Sequence, residues 1–267
     1  KRIDDGRYRY IERVKSSFPN QMRLDGLKVV IDCANGAGYR AAPEVLWELG
    51  AEVIPIGVSP DGRNINLNCG STSPRVAAET VVAHGADVAI CLDGDADRVL
   101  VIDEKGSPID GDQFLGMIGA RWFKEGKLAN ETLVSTVMSN MRLETFLNQE
   151  GITLVRTSVG DRYVVERMRL NGFNLGGEKS GHVVMMDYST TGDGLMAGLQ
   201  FLAEMIRKGE PASVVGRPFD LAPQRTENIT YSVEKNPLND PSVIKIISES
   251  EKKLSGLGRL LVRKSGT

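Results

Sequence analysis

Apolar residues recur along the chain at two spacings that alternate in a regular order. Tyr8, Ile11, Val14 and Phe18 lie three and four positions apart, which predicts an amphipathic helix from Asp4 to Phe18, ended by Pro19–Asn20. The apolar run Leu27–Cys33 predicts a strand. The small residues Ala34–Gly38 predict a turn, Ala42–Leu49 a helix and Glu52–Ile56 a second strand. Pro43 near the start of that helix and Gly50 just past it agree. Strand, turn, helix and strand in succession predict a parallel α/β sheet. A helix over Arg75–His84, a strand over Asp87–Leu92 and a hairpin over Val99–Ile109, turning at Lys105–Gly106, complete this first unit.

The alternation then starts again. Helices are predicted over Gly111–Lys124, Arg142–Gln149 and Arg162–Asn171, with strands over Glu131–Val137 and Ile152–Thr157. A helix follows from Gly194 to about Arg207, with Leu195, Leu199, Leu202 and Ile206 as its apolar stripe and Asp193 as its cap. Two related three-layer α/β/α domains with mixed sheets are therefore expected, joined near Pro108–Gly111: residues 1–108 and 109–222. After Pro211 and Pro218 the pattern changes to a strand over Asn228–Val233, a helix over Ser242–Leu254 and a strand over Leu257–Val262. Residues 223–267 thus read as the start of a smaller α+β domain.

Composition narrows the class. The net charge of −2 implies no basic face for nucleic acid or an anionic membrane. No apolar run approaches the roughly 20 residues that span a bilayer. Cys33, Cys69 and Cys91 are an odd, widely spaced set without zinc-site or disulfide spacing, which points to a reducing cytoplasm. The charged opening Lys1–Asp5 is unlike a signal peptide. The chain starts without Met and stops in the polar stretch Arg263–Thr267, so both ends read as cuts through something larger.

Three stretches carry candidate chemistry. In Cys91–Leu–Asp–Gly–Asp–Ala–Asp–Arg98 three carboxylates alternate with small residues at the end of a predicted strand. Alternation projects Asp93, Asp95 and Asp97 to one side. Clustered hard oxygens suit Mg²⁺, and Gly94 and Ala96 leave room for an ion or a phosphate to approach. Arg98 beside the carboxylates fits a site that also receives phosphate. A solvated acidic turn is the plain alternative. An EF-hand does not fit, because Gly106 comes too late and Glu104 one position early. In Gly177–Glu–Lys–Ser–Gly–His182, Glu178 and Ser180 suit sugar hydroxyls and His182 suits proton transfer; a tight hairpin with solvated polar tips fits the composition equally. In Arg263–Lys–Ser–Gly–Thr267 the side-chain and backbone donors suit a phosphate. A solvated chain end is the simpler reading of that stretch taken alone. Gly36 and Gly38 lack the third glycine of a dinucleotide fingerprint and read as structural. His84 reads as a helix-terminal residue. Asp32 sits where a haloacid-type phosphatase carries its nucleophile, but the partner Asp two residues on is absent.

These three stretches, in this order, resemble the α-D-phosphohexomutase family. Asp32–Ala37, Asn64–Thr72, Val159–Tyr163 and Ser189–Gly194 carry the resemblance toward the branch acting on glucosamine phosphate rather than on mannose or glucose phosphates. The resemblance implies a four-domain enzyme of which this chain holds the second and third domains and the opening of the fourth. It implies Asp93, Asp95 and Asp97 as Mg²⁺ ligands, with Arg98 beside the transferring phosphate. Glu178 and Ser180 would lie on the sugar, His182 would act in proton transfer or substrate contact, and Arg263, Ser265, Gly266 and Thr267 would grip the remote phosphate. The family's nucleophilic phosphoserine segment does not occur in this sequence, so the chain alone is expected to be inactive. The expected partner is a hexosamine phosphate, with neither nucleic acid nor membrane, and a homodimer is compatible with the resemblance. A non-catalytic sugar-phosphate-binding module is the alternative from a different class.

Overall fold

The computed structural model describes residues 5–231, 237–255 and 257–264. The first unit runs α1 (Gly6–Lys15), β1 (Lys28–Asp32), α2 (Ala41–Glu48), β2 (Glu52–Ile56), α3 (Arg75–His84), β3 (Val88–Leu92) and β4 (Val99–Asp103). Its sheet has the order β2–β1–β3–β4, with β4 antiparallel to β3 and the rest parallel. The second unit runs α4 (Gly111–Lys124), β5 (Thr132–Thr136), α5 (Met141–Gln149), β6 (Thr153–Thr157), α6 (Asp161–Asn171), β7 (Leu175–Gly177) and β8 (Val183–Met185). Its sheet repeats the plan as β6–β5–β7–β8, with the last pair antiparallel.

Strand periodicity sorts the core. Val30, Ala89, Cys91 and Ile102 face α3 through Ala77 and Val81. Val134, Val155 and Val184 face α6 through Val164 and Met168. The opposite faces of both sheets contribute to one continuous core between the units, with Ile31, Ile90, Leu92 and Val101 from the first and Leu133, Leu175 and Met185 from the second. α7 (Gly194–Lys208) fills the space between them. It follows the second sheet in sequence yet packs on β3 and β4 of the first, where Gly198 lets it approach Ile90 closely. α8 (Ala212–Val215) is a further helix that the sequence pattern did not predict. Arg217 just after it pairs with buried Asp103 at 2.7 Å, and the Ser213 amide donates to Glu104.

The hairpin expected over Val99–Ile109 forms: β4 turns at Lys105–Gly106, where Gly106 has φ 76°, and the chain returns beside it, with the Asp103 amide on the Ser107 carbonyl, the Ile109 amide on the Val101 carbonyl, each at 2.9 Å, and an antiparallel bridge between Ile102 and Pro108. Two expectations need correction. The strand expected over Leu257–Val262 does not form, and of the one expected over Asn228–Val233 the described residues 228–231 form none, Ser232 and Val233 lying outside the described residues. The described residues 228–231 and 257–262 have no paired neighbour, and an apolar alternation without a partner leaves the backbone groups of a strand unsatisfied. The expected α+β character of 223–267 is therefore absent among its described residues; the one long helix there is α9 (Pro241–Leu254), capped by the Asp240 carboxylate.

Candidate active site

β1 and β3 are parallel neighbours, so both release the chain at the same edge of the sheet, and the loops that follow meet there. Asp32 ends β1 fully buried. Its Oδ1 accepts from the Ala34 amide at 2.9 Å and its Oδ2 from the Gly70 amide at 2.7 Å. Both oxygens are occupied by backbone, so Asp32 is a loop clamp and not a nucleophile. The clamp folds the 59–73 segment back over the edge, where Asn66 donates to the Ala34 carbonyl and Ser71 to the Leu92 carbonyl, each 2.9 Å away.

The acidic loop leaves β3 at Asp93. The strand has ended, so alternation does not gather the carboxylates. A turn does. Ala96 adopts φ 62° and its amide bonds the Asp93 carbonyl at 3.1 Å. Asp93, Asp95 and Asp97 then each place an oxygen within 4.8 Å of the others. Gly94 is small for another reason than the sequence suggested. A Cβ there would meet Ile65 Cδ1 at 2.7 Å and Asn66 Nδ2 at 2.8 Å, so the missing side chain lets the 59–73 segment close on the loop.

Burial pushes the Asp93 carboxyl above the usual carboxylate range, and the Asp97 and Asp95 charges push it further; the Arg98 amide on its Oδ1, at 3.1 Å, opposes this. Arg98 Nε lies 3.6 Å from both Asp93 Oδ2 and Asp97 Oδ1. One guanidinium among three carboxylates leaves net negative charge. Asp97 Oδ1 is buried without a hydrogen-bond partner. Clustered hard oxygens, surplus negative charge and an open acceptor fit a small divalent cation.

The second loop closes the β7–β8 hairpin. The Glu178 amide donates to the His182 carbonyl at 2.9 Å and the Gly181 amide to the Glu178 carbonyl at 3.0 Å. Gly181 has φ 90° and its missing side chain would strike the Val99 carbonyl, so only glycine allows the two loops to touch. Arg98 and His182 pair as an isolated antiparallel bridge, and the Val99 amide donates to the Gly181 carbonyl at 3.1 Å. The acidic loop of one sheet and the hydroxyl-suited loop of the other are thus locked side by side.

Comparison with known proteins agrees with this geometry. Residues 8–106 match the model of phosphoglucomutase/phosphomannomutase alpha/beta/alpha domain II, and residues 110–218 that of domain III. The chain belongs to the phosphoglucomutase/phosphomannomutase family. Along its whole length it is 66% identical to a phosphoglucosamine mutase from Ruegeria sp. (strain TM1040), and it spans 60% of that relative's length. Among solved structures it is similar to a phosphoglucomutase/phosphomannomutase family protein from Burkholderia thailandensis (TM-score 0.70, 24% identity, 78% of this chain and 45% of that one). It is also similar to an N-acetylphosphoglucosamine mutase from Aspergillus fumigatus in complex with GlcNAc-6P and magnesium (TM-score 0.59, 18% identity, 77% and 52%).

In this phosphohexomutase chain the remaining site residues divide. Glu178 is half-buried, and its Oε1 accepts from the Gly160 amide at 3.0 Å; Ser180 is exposed. His182 is 3% exposed, with Nδ1 on Asp97 Oδ2 at 3.2 Å. Arg263 is exposed and donates to the Lys264 carbonyl; among the described residues it makes no hydrogen bond to the other two loops. Ser265, Gly266 and Thr267 lie outside the described residues. Gly160, which orients Glu178, and Gly192, which walls His182, had no role from spacing alone. Both lie in stretches that carried the family resemblance.

Proposed function

We propose that this chain is the metal- and sugar-binding part of a phosphoglucosamine mutase, interconverting glucosamine 6-phosphate and glucosamine 1-phosphate in the cytoplasm. The observation that carries the reading is the Arg98–His182 bridge, which puts three clustered carboxylates beside Glu178 and Ser180. Two chemistries that must act on one sugar phosphate are then held at one place.

In this reading a phosphoserine outside the chain transfers its phosphoryl group to one sugar hydroxyl. The resulting bisphosphate returns the phosphoryl group from its other end to the serine, so atoms and charge balance over the cycle. Asp93, Asp95 and Asp97 would hold Mg²⁺, which when bound neutralises charge on the transferring phosphoryl group. Arg98 carries the adjacent positive charge and accompanies the phosphate. Glu178, fixed by Gly160, and Ser180 orient the sugar hydroxyls so that either end can face the same phosphoryl donor. Arg263, with Ser265, Gly266 and Thr267, would hold the phosphate that is not reacting. Identity to a named phosphoglucosamine mutase over the full chain supports the amino-sugar substrate.

The test is turnover by the full-length protein. Glucosamine 6-phosphate is expected to give the highest kcat/KM among glucosamine, glucose and mannose phosphates, and chelation of divalent cations is expected to abolish turnover reversibly. A preference for either hexose phosphate overturns the assignment.

A further inference from the structure

We infer that Arg259 is a positioning residue for the phosphate-binding stretch: it docks the chain leading to Arg263 on the turn after β5, at the sheet edge where the sugar-suited loop stands. This rests on the proposed grip of Arg263–Thr267 on the phosphate that is not reacting, and adds the contact that places that grip.

The turn Val137–Asn140 is a fixed seat. The Val137 amide donates to the Thr157 carbonyl of β6 at 2.9 Å, the Ser139 amide to the Thr136 carbonyl at 3.1 Å and the Asn140 amide to Asp112 Oδ2 of α4 at 2.7 Å. The three carbonyls of Val137, Met138 and Ser139 each accept from a side chain that lies beyond residue 220. Arg259 Nη2 donates to Val137 at 2.8 Å and to Ser139 at 2.6 Å, and Gln224 Nε2 donates to Met138 at 3.2 Å. The Asn140 side chain holds Ala222 twice, Nδ2 donating to its carbonyl at 2.9 Å and Oδ1 accepting from its amide at 3.1 Å. The chain thus leaves the second unit at this turn, passes through α9 and comes back to the same turn at Arg259.

Arg259 alone makes the return. Among the described residues 257–264 the other hydrogen bonds are local: the Leu257 and Gly258 amides donate to the Leu254 carbonyl, each at 2.8 Å, and Arg263 donates to the Lys264 carbonyl. Four residues separate Arg259 from Arg263, at most about 14 Å of extended chain, so this anchor limits where the grip can reach. Its place suits the site. β5, β6 and β7 are parallel neighbours that end at one edge, the edge where the Gly160 amide holds Glu178. Gln224 Oε1 also accepts from Lys179 of the sugar-suited loop at 3.0 Å, so the seat is tied to that loop. The guanidinium is held there against a like charge. Burial and then Arg156 lower its pKa, while Glu144 and Asp112 raise it, and the two carbonyls fix its position among these charges.

The experiment is steady-state turnover by the full-length protein, comparing wild type with Arg259→Ala and Arg259→Lys. It uses whichever hexose phosphate the wild type turns over, with Mg²⁺ affinity read by calorimetry alongside. Arg259→Ala is expected to raise KM about fivefold or more with a smaller change in kcat, because the lost contact serves binding rather than the phosphoryl transfer itself. Arg259→Lys keeps a charged donor and is expected to recover part of the loss, and Mg²⁺ affinity is expected to stay at the wild-type value in both. An unchanged KM in Arg259→Ala overturns the inference, as does a fall in Mg²⁺ affinity that parallels the loss. Absence of turnover by the wild type removes the site reading itself, a different failure. If Arg259→Ala does not fold, hydrogen exchange of the wild type decides: slower exchange of the 257–262 amides with sugar phosphate bound supports the role, and exchange that sugar phosphate leaves unchanged overturns it.

Discussion

At Asp112 a carboxyl with no solvent contact sits in the first turn of α4. Its Oδ2 accepts from the Asn140 amide at 2.7 Å, and its Oδ1 is unpartnered. Burial, with a smaller push from Asp110, raises its pKa to about 6, against the Asn140 amide and the charges of Lys179 and Arg156, which lower it. The native state therefore holds this proton more tightly than the unfolded chain. Stability falls as pH rises from near 4 to about 6 and stays low above that, a cost of about 3 kcal/mol at most. Asp112→Asn keeps an acceptor for Asn140 and removes the charge. A higher Tm at pH 7.5, and a flatter dependence of stability on pH between 4 and 6, are expected from calorimetry. Nothing in the sequence marks Asp112 as buried, because Asp at the start of a helix is ordinarily a solvated, favourable residue.

At the scale of elements, α1 and α7 are joined by a half-buried polar contact. Tyr10 donates from its hydroxyl to the Asp193 carboxylate at 3.0 Å, and Asp193 also caps α7 through the Met196 amide at 2.9 Å. Burial raises the pKa of both side chains, so each depends on the other for its polar partner. Tyr10→Phe leaves a half-buried carboxylate with one donor fewer. It is expected to cost about 1–3 kcal/mol, read as a lower urea midpoint with unchanged m-value. The hairpin loop gives a second element-scale prediction. Gly181→Ala forces a side chain onto the Val99 carbonyl at φ 90°, so the two loops separate. Turnover and metal affinity of the full-length protein are expected to fall together, with a smaller loss in Tm than in activity. Most helices and strands were legible from their periodicity, and β2, α3 and α4 match the expected spans. The failures were strands. Helices bond within themselves, but the described residues 228–231 and 257–262 needed partners that local pattern cannot supply.

Across the whole molecule the two units share their core. α7 belongs in sequence to the second unit and packs on β3 and β4 of the first. Gln200 on α7 donates to the Ser17 carbonyl at 2.8 Å, and Arg121 on α4 donates to the Gln200 carbonyl at 2.9 Å. Residues 1–108 produced alone lack α7 and leave Ile90, Leu92 and Val101 uncovered. That fragment is expected to aggregate or to bind a hydrophobic dye, whereas residues 1–222 together are expected to melt in one cooperative transition. A soluble, cooperatively folded 1–108 would show that the shared core is dispensable. The arrangement also explains the site, since two loops from different sheets stay locked only if the sheets cannot move apart.

The sequence alone determined the order of helices and strands, the repeat of the α/β plan and the three stretches with candidate chemistry. These follow from side-chain type and from periods of 2 and about 3.6 residues, which act within a few positions. Tertiary structure decided the rest. It gathered Asp93, Asp95 and Asp97 by a left-handed Ala96 rather than by strand alternation, turned His182 inward onto Asp97, and laid α7 across the first sheet. Each of these depends on groups brought together by the fold, and hydrogen-bond partners and close backbone approaches across the fold leave no periodic trace along the chain.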